Sequence, residues 1–308
     1  MSRLDAAPSS APADPDTTTR PGPGGSAPGG VLLAVLSFVI AIALWQAGAW
    51  ALALRTPVAE AFGPLPAAQA GWALLTGGEF ARHAAVSLQR LGAGLLLGLL
   101  VGVPLGLLTG LSRSFAQAST PLFQFLRMVS PLSWMPLAVI VLGVGDAPVI
   151  FLLGFAALWP ILLNTAAGVS ALDPDWLALG RSLSATRREM VLRIVLPGIT
   201  AHLLTGVRLA IGLLWIVIVP AEMLGVSAGL GYFVLDTRDR LAYPELMAAI
   251  VLIGALGWAL DAAARRLHAH WAGSGSRAGQ RPRTTVTALR ERLAGSLSRA
   301  AAARRPAG

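Results

Sequence analysis

Residues 172–200 read LDPDWLALGRSLSATRREMVLRIVLPGIT. This arginine-bearing polar island lies at mid-chain between long apolar segments. Asp173-Pro174 is a helix start, with Asp as N-cap and Pro at the first helical position. Trp176, Leu179, Gly180 and Leu183 then recur at i, i+3, i+4 and i+7, which reads as one face of a short helix. Thr186-Arg187-Arg188-Glu189 fits a capping box. It opens a second helix with an apolar face of Met190, Val191, Ile194 and Val195, which Pro197-Gly198 is expected to end. The spacing predicts two short helices with a bend at Ser184–Thr186, held outside a bilayer. Such a pair suits the groove of a partner; the alternative is a hairpin lying on the membrane surface with no partner.

The composition supports the bilayer. Of 308 residues 55% are hydrophobic and 13% charged, whereas soluble domains carry about 25% charge. The absence of cysteine excludes disulfides, thiol chemistry and cysteine metal sites. The histidines (His83, His202, His268, His270) are scattered; His268 and His270 fall near a membrane exit and read as solvated. All 24 basic residues are arginine. A P-loop needs a lysine to reach nucleotide phosphates, so any ATP and Mg chemistry is expected in a separate subunit, with no cofactor bound by this chain. The net charge of +9 does not indicate nucleic acid, because ten arginines lie beyond residue 264, where cytoplasmic anchoring accounts for them.

Hydropathy predicts an all-α, multi-pass protein of the plasma membrane with six spans, at about 31–54, 88–111, 120–143, 149–170, 201–224 and 243–264. Residues 1–30, rich in Pro, Ala, Gly, Ser and Thr, read as a disordered cytoplasmic tail. Residues 271–308 read as a basic cytoplasmic tail. FARHAAVSLQRLG reads as an amphipathic helix leading into the second span, whose glycines Gly94, Gly98, Gly102, Gly106 and Gly110 recur every four residues and permit close helix packing. The third span holds Pro121, Pro131 and Pro136 and is expected to be broken; Arg127 near its start fits snorkelling. Residues 225–242 read as a polar, Gly-rich loop. Arginine counts on the two sides favour both termini inside, which puts 172–200 in the cytoplasm.

Glu222, in VPAEML, is an acidic residue near the end of an apolar span and a candidate for a translocation pathway. The competing reading is a partner for Arg127 or a backbone cap. Met135, Trp159, Asn164 and Trp215 are weaker lining candidates.

The island resembles the coupling loop of ABC importer permeases, whose pattern is EAA, three residues, Gly, nine residues, Ile, one residue, Leu-Pro. Ser184, Ile194, Leu196 and Pro197 keep that spacing; Ala178-Leu179-Gly180 stands at the EAA triplet and Ser184 at the glycine, so the glutamate is missing. Residues 80–265 are similar to the nitrate/sulfonate/taurine branch of these permeases. The resemblance implies a MetI-like type I permease fold, usually a homodimer. It implies cytoplasmic ABC ATPase subunits gripping the loop, with Asp173, Trp176, Leu179, Gly180, Ser184, Thr186, Arg187, Glu189, Ile194, Leu196 and Pro197 as its working residues. An extracytoplasmic solute-binding protein would deliver an aliphatic sulfonate, taurine, nitrate or similar small anion; a thiamine-type pyrimidine precursor is the alternative cargo. An ion-coupled carrier would need paired charges at mid-membrane and inverted repeats, and a membrane scaffold would use the island only for recruitment.

Overall fold

The computed structural model describes residues 28–279, so the tails expected over 1–30 and 271–308 lie largely outside the described residues. The chain divides into two compact units, Met1–Pro64 and Leu65–Gly308. In the first, α1 (Pro28–Ala53) is apolar around its whole circumference and is followed by a 3-10 turn, Pro57–Phe62. The turn folds back on the helix, and the Trp45 indole N–H donates to the Phe62 carbonyl at 2.9 Å.

The second unit holds α2 (Pro64–Thr76, beginning on the last residue of the first unit), α3 (Glu79–Leu111), α4 (Arg113–Met128), α5 (Met135–Leu142) and α6 (Asp146–Ser170). These are followed by α7 (Pro174–Ser182), α8 (Arg187–Glu189), a π-helical segment Met190–Val195, α9 (Leu196–Glu222), α10 (Leu230–Asp239) and α11 (Tyr243–Gly279). Among the described residues five helices are long and apolar enough to cross a membrane, or six if α4 and the segment Pro131–Leu142 form one span. That pair bends by 88°. Its break falls at Val129-Ser130, just before Pro131, because a residue preceding proline is pushed out of the helical region. The amphipathic FARHAAVSLQRLG is continuous with the second span, since no proline or cap interrupts α3 before Pro104.

The spine of the second unit is the pair α3–α6. A Cβ built on Gly98 would lie 2.5 Å from the Ala157 Cβ, on Gly106 2.6 Å from Thr165, and on Gly110 2.5 Å from Val169. Gly94 meets Leu153 and Gly102 meets Ile161 in the same way. Both numberings rise by four at each contact, so the helices run parallel with their backbones touching. In lipid, where apolar burial between helices gains little, this close van der Waals approach is what holds helices together. α9 lies antiparallel across α6: Gly206 packs on Asn164 and Gly168 on His202. Ala210, Leu214, Val217, Ile218 and Ala221 join Leu152, Leu153, Ala156 and Ala157 in the core.

Two sequence expectations need correction. Pro197-Gly198 does not end the second island helix; the helix runs unbroken from Arg187 to Glu222. The preceding turn is π-helical, with Leu196 N–H bonding the Val191 carbonyl five residues back. The wider π turn makes room for the Pro197 ring and absorbs its missing donor. The loop expected over 225–242 contains α10, which begins at Gly229-Leu230-Gly231, where Gly231 lies against the Val219 carbonyl.

Candidate functional site

Two polar constructions sit at opposite ends of the α3–α6–α9 bundle. The first is the island. Asp173 caps α7 by accepting the Asp175 N–H at 3.0 Å. At the other end of α7 the chain leaves the helix through Ser184, at φ 55°. Ser184 N–H bonds the Arg181 carbonyl and Ala185 N–H bonds the Gly180 carbonyl, both at 3.0 Å. This is a Schellman C-cap, in which the left-handed residue is normally glycine. The next helix opens with the expected box: Glu189 N–H donates to Thr186 Oγ1 at 3.3 Å and Thr186 N–H to Glu189 Oε2 at 3.0 Å. Both turns of the hairpin are therefore closed by their own hydrogen bonds.

Gly180 is where the two arms touch. A Cβ there would lie 2.7 Å from both Ile194 Cδ1 and Met190 Cε. Leu177, Met190 and Leu196 pack with Val169, Val195 and Ile199, joining the hairpin to the ends of α6 and α9. The four residues read as one face thus divide. Gly180 turns inward, while Trp176, Leu179 and Leu183 are exposed at 61%, 59% and 73%. Arg187 and Pro197 are also exposed, and Ile194 and Leu196 are partly buried.

The second construction lies around Glu222, which is fully buried. Its partner is Arg90, at 2.7 Å, and not Arg127. Arg127 is exposed on α4, and Arg90 reaches Glu222 because α3 packs beside the end of α9. The Arg90 guanidinium also clasps Asp146 through Nε (2.9 Å) and NH2 (2.6 Å), and its NH1 donates to the Ala228 carbonyl at 2.6 Å. Ser87 shares its hydroxyl proton between the two Glu222 oxygens at 2.9 and 2.8 Å and accepts the Leu230 N–H at 2.8 Å. Gly231 N–H completes the carboxylate at 3.0 Å. Glu222 thus caps the start of α10, where free N–H groups favour an anion. Gly229 (φ 117°) and Gly231 are required here: a Cβ on Gly229 would lie 2.5 Å from Glu222 Cδ, and one on Gly231 would collide with the Val219 carbonyl.

The four pathway candidates do not converge. Asn164 lies beside Gly206 and donates to the Pro160 carbonyl at 2.8 Å. Gly206 and Glu222 are about 24 Å apart along α9 at the helical rise. Met135 is buried in the central core, and Trp215 packs against Gly257 of α11. Trp159 meets Phe123 at a tilt and Phe155 edge-on. An apolar cavity between α3 and α6 is lined by Leu97, Val101, Phe151, Gly154, Phe155 and Leu158, with no polar side chain among them. Sequence reading missed two features. One is the Arg90–Ser87–Glu222 knot, signalled only by GLG at 229–231. The other is Arg208, a lone charge in the fifth span that the hydropathy of its neighbours hides.

The chain matches the family described as binding-protein-dependent transport system inner membrane component over residues 102–272. It is 36% identical over 178 residues to the nitrate import permease protein NrtB of Leptolyngbya laminosa, covering 58% of this chain and 64% of that protein. It is 36% identical over 177 residues to the bicarbonate transport system permease protein CmpB of Synechococcus elongatus, covering 57% and 63%. The chain thus spans under two thirds of the length of these relatives. It is 31% identical over 242 residues to the probable ABC transporter permease protein BMEII0107 of Brucella melitensis, covering 77% of this chain and 96% of that one. Two inward-facing structures of the MetNI methionine ABC transporter share its fold, with TM-scores of 0.50 and 0.51, identities of 17% and 16%, and coverage of 64% of this chain and 95% of each matched chain. The chain belongs to the family of binding-protein-dependent transport system inner membrane components.

Proposed function

We propose that this chain is the membrane-spanning subunit of an ATP-driven importer of a small oxyanion, nitrate or bicarbonate before sulfonate or taurine. Its relatives named for nitrate and bicarbonate support that order. In this reading the 172–200 hairpin is the coupling element and both termini are cytoplasmic. The hairpin meets cytoplasmic ATPase subunits, a solute-binding protein delivers cargo at the Glu222 end, and two copies of the chain enclose the path.

The observation that carries the reading is the division of α7. One side is locked to the bundle through Leu177 and Gly180, while Trp176, Leu179 and Leu183 stay exposed on a doubly capped hairpin. An exposed apolar patch on a rigid support is a docking surface. A push on it passes into α9 through the unbroken helix from Arg187.

The test is the triple substitution Trp176→Ser, Leu179→Ser, Leu183→Ser. Because these side chains are exposed, the permease should stay folded and monodisperse in detergent. Co-purification of its cognate ATPase should fall at least tenfold, and ATP-driven uptake of labelled nitrate or bicarbonate in proteoliposomes with it. Intact uptake in the variant would remove the hairpin from coupling.

A further inference from the structure

Arg208 lies in the middle of the helix Arg187–Glu222, within AHLLTGVRLAIGLLW. The nearest charges on the same helix are Arg193 and Glu222, about 22 and 21 Å away along the axis at the helical rise. A hydrocarbon core is about 30 Å thick, so a span bounded by those charges holds Arg208 close to its midplane. An ionised side chain there is costly and is kept where it faces protein or a water-filled path.

Among the described residues Arg208 forms no hydrogen bond and no ion pair. Six of the described acidic side chains are paired with other arginines: Glu222 and Asp146 with Arg90, Asp261 with Arg265, Asp236 and Glu245 with Arg240, Asp239 with Arg238. It stands on the side of α9 turned away from α6, because the buried positions Gly206, Ala210, Leu214 and Val217 occupy the other side. One turn on, at i+4, a Cβ on Gly212 would meet nothing within 4 Å, so α9 is uncovered at that position of the same side.

We propose that Arg208 is the anion-selecting residue of the translocation path and pairs with the transported oxyanion as it crosses the midplane. The proposal rests on the importer reading above and adds the residue and the mode of contact. A guanidinium offers a planar fork of donors that two oxygens of a trigonal oxyanion accept together. The cost of holding it at mid-membrane is offset only while an anion is present, so passage of an anion is favoured over passage of a neutral solute. A lysine keeps the charge but lacks the fork.

The test compares wild type, R208K and R208Q, each assembled with its cognate ATPase and solute-binding protein in proteoliposomes, using labelled nitrate and bicarbonate. R208Q should lose at least tenfold in ATP-driven uptake, with R208K intermediate. Complex assembly and thermal midpoint should stay at the wild-type level or rise, because R208Q removes an unpaired, half-buried charge from the middle of a span. Unchanged uptake by R208Q overturns the proposal and leaves the importer reading standing. A lowered thermal midpoint in both variants, with uptake lost in step, assigns Arg208 a structural partner and also overturns it. A wild-type complex that imports a neutral or cationic solute and neither oxyanion overturns both readings.

Discussion

Arg90 and Glu222 lie 132 residues apart in the chain and 2.7 Å apart in space, with both side chains buried. The pair joins α3 to the end of α9, and Asp146 and the first N–H groups of α10 complete it. Four segments therefore meet on one guanidinium and one carboxylate. Removing one member of a buried pair strands the other charge, at about 3–5 kcal/mol. Arg90→Gln should lower the thermal midpoint in detergent sharply. The double variant with Glu222→Gln should be less damaging than the sum of the two, because neither charge is then left alone.

The same geometry sets the expectation for Glu222→Gln alone. Stability, assembly with the ATPase and transport should fall in the same proportion. A transport loss in a fully stable, fully assembled protein would return Glu222 to the pathway.

The glycine stripe gives a paired test within one helix. Gly98→Leu places side-chain atoms where a bare Cβ already lies 2.5 Å from Ala157. Forcing α3 from α6 should cost about 1–3 kcal/mol or more. Gly92→Ala, with nothing within 4 Å of the added Cβ, should be neutral or stabilising by up to about 1 kcal/mol through helix propensity. Thermal denaturation of both variants decides it.

Ser184 holds a left-handed conformation at the hairpin's C-cap. That conformation costs an L-residue about 1–2 kcal/mol, and glycine avoids the cost while losing about 0.5–1 kcal/mol in chain entropy. Ser184→Gly should leave the hairpin equally or slightly more stable, and Ser184→Val should weaken it. Hydrogen exchange at Ser184 and Ala185, whose N–H groups make the cap bonds, reads this directly.

Thr186→Ala removes the hydroxyl half of the capping box, at about 1 kcal/mol, and leaves the backbone N–H at 186 free to keep its bond to Glu189. Faster exchange should appear in the first turn after Thr186 and remain unchanged in the core of α9. If the hairpin transmits force, uptake per ATP hydrolysed should fall while ATPase binding holds.

The caps of the hairpin were legible in the sequence because they are local. Asp173-Pro174 and Thr186-x-x-Glu189 satisfy backbone donors within a few residues, whatever the rest of the chain does. The apolar spans and the proline break were legible for the same reason, since length, hydropathy and a missing N–H act on the segment that carries them. The glycine spacing in α3 announced a close neighbour but not which one. The identity of α6 as that neighbour came from its own positions at Leu153, Ala157, Ile161, Thr165 and Val169.

The partner of Glu222 was not legible, because Arg90 stands 132 residues away and only the packing of α3 beside the end of α9 brings it there. The inward turn of Gly180 was hidden as well: its place on the helical wheel matches that of Trp176, and only the contact with Met190 and Ile194 separates them. Pro197 misled for a related reason, since whether a proline ends a helix depends on whether the turn before it can widen. Short-range hydrogen bonding and hydropathy thus decided the hairpin caps and the apolar spans from sequence, but not α10 or the continuation of the helix through Pro197. Which charges are paired, and that the mid-span Arg208 is in no ion pair among the described residues, was decided by packing, because Coulomb partners are set by distance in space and not along the chain.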